Sequence, residues 1–98
     1  MTVALAFHEA AEIELAEAAA FYERECPGLG AAFLDEVQTA LTALAQFPEG
    51  SPLLRGRIRR KVLFRFPYSL MYSLHAGQLR ILAVAHEKRR PFYWHGRQ

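Results

Sequence analysis

The spacing of apolar residues changes once along this 98-residue chain, and that change limits the folds open to it. Between residues 8 and 47 apolar side chains recur every three or four residues, which is the repeat of an amphipathic helix. Between residues 57 and 75 they follow the two-residue repeat of a β-strand, and residues 79–86 are an almost continuous apolar run that is also typical of a strand. Pro48, Gly50 and Pro52 mark a loop between the two regions. This order predicts an α+β domain in which most strands follow the helices.

The helical region is predicted to contain two helices, at about residues 8–25 and 30–47. Cys26, Pro27 and Gly28 separate them, because proline cannot continue a helix and glycine turns at little cost. A link this short predicts an antiparallel helical hairpin. The acidic residues of the first helix are expected to form a solvated face. The apolar stripes comprise Ala11, Leu15, Ala19 and Tyr22 in the first helix and Phe33, Val37, Ala40, Leu41 and Leu44 in the second.

Strands are predicted at residues 3–7, 57–66, 68–75 and 79–86, which gives the order β-α-α-β-β-β. Residues 75–78 (HAGQ) predict a hairpin turn with Gly77 in the left-handed region. The last strand is apolar on both faces and should therefore be central. Tyr68 and Tyr72 share a strand face with leucines, so both are expected in the core. Three or four antiparallel strands should carry the helical hairpin on one face.

Charge is divided unequally between the two halves of the chain. Residues 1–50 hold nine acidic residues and one basic residue, for a net charge of −8. Residues 51–98 hold eleven basic residues and one acidic residue, for a net charge of +10. Such a split predicts an electric dipole, with the basic half facing phosphate or an acidic protein segment.

Composition excludes several classes of protein and of site. A chain of 98 residues is expected to form one domain, residues 1–98. No apolar run approaches the roughly 20 residues of a membrane helix, and the N-terminus lacks the basic region of a secretory signal. With Cys26 as its single cysteine the chain forms no internal disulfide, and a cytoplasmic location is expected. No metal or cofactor is expected, because no metal-ligand spacing occurs among His8, His75, His86 and His95.

Three C-terminal segments resemble those of the RelE/ParE superfamily of bacterial toxins. They are FPYSLMY at residues 66–72, ILAVAH at 81–86 and RRPFYW at 89–94, followed by Arg97. The element order, the size and the helical hairpin resemble that family too, over nearly the whole chain. The resemblance implies a growth-inhibiting, plasmid-stabilising toxin held in a hetero-oligomer by a cognate antitoxin, ParD-like or related. RelE-type members cut mRNA in the ribosomal A site, whereas ParE-type members bind DNA gyrase and are not enzymes.

The resemblance favours the ParE-like branch over the ribonuclease branch. Ribonuclease members typically carry an arginine in the third strand and another after the fourth. Here Ser69 takes the first position, and Glu87, or Arg89 with a slip, takes the second. Losing one transition-state donor costs about 10²–10³ in rate. If the chain is instead a ribosome-dependent endoribonuclease, the resemblance implies Arg89 and Tyr93 as catalytic residues, and His86 is a candidate general base because an imidazole titrates near neutral pH.

A target- or antitoxin-binding surface is predicted from the basic and aromatic residues of the second half. Strand alternation places Arg59, Lys61 and Arg65 together, which a merely solvated strand edge does not require. Near the C-terminus, Lys88, Arg89, Arg90 and Arg97 flank a run of aromatic residues at 92–94, and arginine with aromatic rings is the composition of a binding hot spot. A basic domain that binds nucleic acid without being a toxin is a further alternative. The predicted surface, expected to form one patch, comprises Arg57, Arg59, Lys61, Arg65, Lys88, Arg89, Arg90, Tyr93, Trp94 and Arg97.

Overall fold

A computed structural model describes residues 3–98; Met1 and Thr2, which the sequence assigns to the same domain, lie outside the described residues. Five strands form one sheet in the order β1-β5-β4-β3-β2, and two helices pack on it. This arrangement confirms the α+β prediction. The elements are β1 (Ala4–Phe7), α1 (Glu9–Glu25), α2 (Leu29–Gln46), β2 (Leu53–Arg55), β3 (Ile58–Val62), β4 (Tyr68–His75) and β5 (Gln78–His86).

The helix α1 begins at a side-chain cap and ends where the sequence predicts. His8 Nδ1 accepts a hydrogen bond from the Ala10 backbone N–H at 3.0 Å, which satisfies one free donor of the first turn. Two glutamates also lie in that turn, where the positive end of the helix dipole favours them. The chain then leaves α1 at Cys26, before Pro27. None of the helices formed by residues 3–98 is long and apolar enough to cross a bilayer.

The junction between α1 and α2 is held by one carboxylate. Glu23 accepts hydrogen bonds from the backbone N–H groups of Gly28 and Gly30, at 2.9 and 3.0 Å. It therefore caps α2, whose own N-cap residue supplies no side chain. Gly30 also lets the helices approach closely, because a Cβ there would lie 2.5 Å from the Ala19 carbonyl oxygen. The predicted hairpin is confirmed.

The β4–β5 hairpin forms the centre of the sheet. Ala76 and Gly77 both have positive φ, 51° and 77°, as a two-residue turn of type I′ requires. A β-bulge follows, because Met71 pairs with Ala83 while the next residue, Tyr72, pairs with Ile81. The strand β5 lies between β1 and β4 and is buried over residues 81–85, which confirms its predicted central position.

Each face of the sheet has its own apolar core. The helix face includes Leu70, the fully buried Tyr72 and the partly buried Tyr68, so the two tyrosines lie in the core as predicted. Residues 87–98, here called the tail, fold back over the opposite face, or tail face. Trp94 is buried there against Met71 and Ala83. The tail thus takes the place of a second helical layer.

Three features of the sheet differ from the sequence prediction. The additional strand β2 has only three residues and lies just after Pro52, so local pattern did not reveal it. The strand β3 ends at Val62 rather than at residue 66, because the backbone bends at residues 64–67. The sheet is mixed rather than antiparallel, since β1 pairs parallel to β5. That pairing joins strands more than 70 residues apart in sequence, which periodicity does not report.

Candidate functional site

The pairing register of β3 divides the predicted basic residues between the two faces of the sheet. Arg59 lies opposite Tyr72, on the helix face, and Lys61 lies on that same face as expected. Arg60, between them, lies opposite Met71 on the tail face. The expectation of a single basic patch is therefore wrong, because Arg89 and Arg90 line a cleft with Arg60, on the face of β3 away from Arg59 and Lys61.

Three of the predicted arginines and lysines on or next to β3 make contacts within the chain. Arg59 donates to the Ser51 carbonyl at 2.7 Å and the Glu49 carbonyl at 3.2 Å, which ties down the loop before β2. Arg57 lies at the far end of the sheet, with its Nη1 3.2 Å from His75 Nδ1. Arg65 pairs with Glu36 at 3.2 Å. These contacts position loops, and Arg57 and Arg65 keep exposed surface.

A partly buried ion pair fixes the end of the tail. Arg97 donates from Nη1 and Nη2 to the two oxygens of Glu14, at 3.0 and 3.1 Å. Tyr93 donates its hydroxyl to Glu14 at 2.8 Å, and the Val84 backbone N–H donates at 3.0 Å. Arg97 also donates to the Leu82 carbonyl at 3.0 Å. The pair therefore satisfies backbone groups of β5 beyond the point where β1 ends.

Glu14 corrects the sequence expectation for α1. Its side chain is only 12% exposed, whereas the acidic residues of that helix were expected to be solvated. Burial raises the pKa of Tyr93 well above its ordinary value, and the hydrogen bond to Glu14 raises it further. The hydrogen bond to Glu14 also raises the pKa of Arg97. Tyr93 is therefore a neutral donor, and the Arg97 guanidinium is engaged within the chain.

A basic cleft of about 190 Å³, here called the tail cleft, lies between the tail and the sheet. Arg89 stacks on the Tyr93 ring at 3.8 Å, and Arg55 stacks on the Phe92 ring at 4.6 Å. Lys88 is exposed beside the cleft. The arrangement can bind an anionic group flanked by apolar surface. The cleft is lined by Leu54, Arg60, Ser69, Met71, Ala85, His86, Glu87, Arg89, Arg90, Pro91, Phe92, Tyr93 and Trp94.

Two of the residues named for a ribonuclease have a polar atom engaged within the chain. The Tyr93 hydroxyl donates to Glu14, as described above. His86 Nδ1 accepts the Lys88 backbone N–H at 3.0 Å, which leaves Nε2 as the other hydrogen-bonding atom of the ring. The third, Arg89, is exposed and stacked. Among residues 3–98 no group of three acidic, histidine or cysteine side chains is arranged to hold a metal.

The loop between β3 and β4, residues 63–67, holds a residue that the sequence prediction misplaced. A strand over residues 57–66, as the sequence predicts, would place Phe64 on the same face as Val62 and Phe66, because side chains two residues apart share a face. In the structure Phe64 is 97% exposed, whereas Phe66 is buried. Glu36 of α2 binds this loop from below, and the even spacing of apolar residues gave no signal of that contact.

Comparison with known proteins places this geometry in a family. A comparison with curated proteins gave no match. A solved structure described as a chromosomal ParDE TA system from P. aeruginosa has the same fold, with a TM-score of 0.76. That match has 18% sequence identity and covers 87% of this chain and 96% of the other.

A family model described as the ParE toxin of the type II toxin–antitoxin system, parDE, matches residues 5–91. Those residues run from β1 into the tail, so both helices, all of the sheet except Ala4 and most of the tail cleft fall within the match. The chain belongs to the ParE toxin family of type II toxin–antitoxin systems.

Proposed function

We propose that this chain inhibits growth as the toxin of a type II toxin–antitoxin pair, by binding DNA gyrase rather than by cutting nucleic acid. Membership of the ParE family supports the toxin role. The observation that carries the non-catalytic mode is the Tyr93–Glu14 hydrogen bond. A catalytic tyrosine must reach the reacting group, and the hydroxyl of this one is turned toward α1, where it donates to Glu14.

The proposed partner on the neutralising side is a ParD-like or related antitoxin that binds as a hetero-oligomer. The tail cleft supports an acidic antitoxin segment, because Arg60, Arg89 and Arg90 line it while Glu87 is its one acidic lining residue. Leu54 and other apolar residues of the cleft would be covered at the same time. Charge complementarity speeds association and fixes register, whereas the apolar burial supplies most of the affinity.

The target is tested by inducible expression, with DNA synthesis and protein synthesis measured separately. A gyrase-binding toxin stops DNA synthesis first, and the purified chain inhibits supercoiling by purified gyrase. Early loss of translation with continued replication would contradict the choice of branch.

The ribonuclease alternative keeps one observation in its favour, since the tail cleft gathers three arginines and His86. Substituting Tyr93→Phe separates the two functions, because it removes only the hydroxyl. The non-catalytic proposal expects growth inhibition to persist once stability is matched, and no mRNA cleavage in either protein. A Tyr93→Phe variant that folds but loses both toxicity and mRNA cleavage would favour the ribonuclease.

The antitoxin contact is tested with Arg90→Ala in the tail cleft and Arg24→Ala as the matched control on α1. Both arginines are exposed, so neither change should alter folding by more than about 0.5 kcal/mol. We expect coexpression of the adjacent antitoxin gene to restore growth, and Arg90→Ala to weaken the complex while Arg24→Ala does not. A chain that binds nucleic acid with a steep salt dependence, and that no neighbouring gene product neutralises, would instead be the basic nucleic-acid-binding domain.

A further inference from the structure

The β3–β4 loop presents an aromatic ring entirely to solvent. Phe64 is 97% exposed, and Val62 beside it is 62% exposed. The flanking Leu63 and Phe66 are buried, with 5% and 8% exposure. The loop therefore buries Leu63 and Phe66 in the core but directs the Phe64 ring into solvent. Phe64 and Val62 together expose apolar surface at one point of the molecule, and exposed apolar patches mark interaction sites.

The loop is rigid because two helices hold it. The Glu36 carboxylate of α2 accepts hydrogen bonds from the backbone N–H groups of Phe64 and Arg65, and from Arg65 Nε at 3.2 Å. Phe66 packs edge-on against Tyr22 of α1 and Phe33 of α2, with ring centroids 4.9 and 5.2 Å apart. Because the loop is already ordered, Phe64 loses little conformational entropy when a partner covers it.

The surroundings of Phe64 define the chemistry of that partner. The Arg65 side chain is 66% exposed, so its charge faces outward despite the pair with Glu36. Lys61 lies at the base of the same loop, partly exposed. A matching surface offers an apolar pocket the size of a phenyl ring with carboxylates at its rim.

The shape of the loop distinguishes between the two partners of a toxin. An extended antitoxin segment is best held by a concave surface, such as the tail cleft. A single projecting ring is covered on all sides only by a preformed pocket in a folded protein. We propose that Phe64 is the anchor by which this chain engages its folded protein target, through an apolar pocket rimmed by acidic residues. This inference rests on the proposed toxin function.

The test compares Phe64→Ala with Phe47→Ala, a matched control at the end of α2 whose ring is 70% exposed. Both proteins should unfold at the wild-type temperature, since neither side chain is buried. We expect Phe64→Ala to need about 30-fold more toxin for half-maximal growth inhibition, the size of a hot-spot truncation. Phe47→Ala should match the wild type, and both variants should bind the antitoxin within about threefold of wild type.

A second variant tests the role of loop rigidity. Glu36→Ala keeps the ring but releases the loop, so growth inhibition should weaken by less than for Phe64→Ala while antitoxin affinity holds. Full toxicity of Phe64→Ala, or an equal loss of antitoxin affinity, would overturn the inference, and the second result would assign Phe64 to the antitoxin interface. A wild-type chain that stops growth without inhibiting gyrase overturns only the gyrase target, because growth still reports on Phe64. A wild-type chain that does not inhibit growth overturns both.

Discussion

Replacing Glu14 of α1 with alanine should destabilise the fold more than removing any charged side chain of the tail. Glu14 accepts four hydrogen bonds, two from Arg97 and one each from Tyr93 and the Val84 backbone. The Glu14→Ala substitution leaves all these donors without their carboxylate, in a region where the Arg97 side chain is only 19% exposed. The cost therefore includes an uncompensated positive charge.

The magnitude follows from the degree of burial. Breaking a fully buried pair by removing one partner costs about 3–5 kcal/mol, and the remaining exposure of 12% and 19% places this pair at about 3 kcal/mol. A domain of this size has roughly 5–15 kcal/mol of total stability. With a slope of about 1.5 kcal/mol per M urea, the unfolding midpoint of Glu14→Ala should fall by about 2 M.

The assay is urea unfolding at pH 7, followed by circular dichroism. Arg97→Ala should cost less, about 1–2 kcal/mol, because Glu14 keeps the Tyr93 and Val84 donors. Glu17→Ala, one turn along α1 and exposed, should stay within about 0.5 kcal/mol of wild type. Equal costs for Glu14→Ala and Glu17→Ala would refute the assignment of this pair as the fastening of the tail, and Arg97→Ala reports on it if Glu14→Ala fails to fold.

Three further predictions concern the contact between the helices, the contact of β4 with Pro48, and the β3–β4 loop. Gly30→Ala should lose about 2 kcal/mol, because its Cβ meets the Ala19 carbonyl at 2.5 Å; an unchanged urea midpoint would contradict that close approach. Tyr72→Phe should lose about 1 kcal/mol, since its buried hydroxyl donates to the Pro48 carbonyl at 2.8 Å, and a neutral result would show that water replaces it. Burial raises the pKa of Glu36, but its hydrogen bonds to the β3–β4 loop outweigh burial and lower the pKa below the ordinary value. The stabilisation from that carboxylate is thus complete above about pH 5 and is lost as pH falls further. The difference in unfolding free energy between wild type and Glu36→Gln should therefore shrink on acidification, and a difference that stays constant would contradict this account.

Apolar periodicity was sufficient to predict the elements that depend on residues close together in sequence. Both helices, the β4–β5 hairpin and the left-handed Gly77 follow from side-chain spacing and turn chemistry. The parallel pairing of β1 with β5 does not, because it depends on how the helical hairpin returns the chain to the sheet edge. The short strand β2 was not predicted for a different reason, because three residues after a proline are too few to show the alternation of a strand.

The candidate site was predictable in residue type but not in position. Alternation correctly keeps Arg59 and Lys61 on one face, yet nothing local indicates that the tail lies on the other, beside Arg60. Trp94 was predicted as part of an exposed binding surface, but it is buried between the tail and the sheet, and that burial depends on the tail folding back. The outward turn of Phe64 likewise depends on Glu36, 28 residues earlier in the chain.

Part of the unequal charge distribution along the sequence forms ion pairs within the molecule. Acidic residues of the first half meet basic residues of the second in both ion pairs that residues 3–98 contain, Glu14 with Arg97 and Glu36 with Arg65. The first pair fastens the tail to α1, and the second orders the β3–β4 loop. Part of the split therefore specifies the tertiary fold rather than a partner. The basic groups of the tail cleft take part in neither pair, which is why we propose that cleft as the docking site of an acidic antitoxin segment.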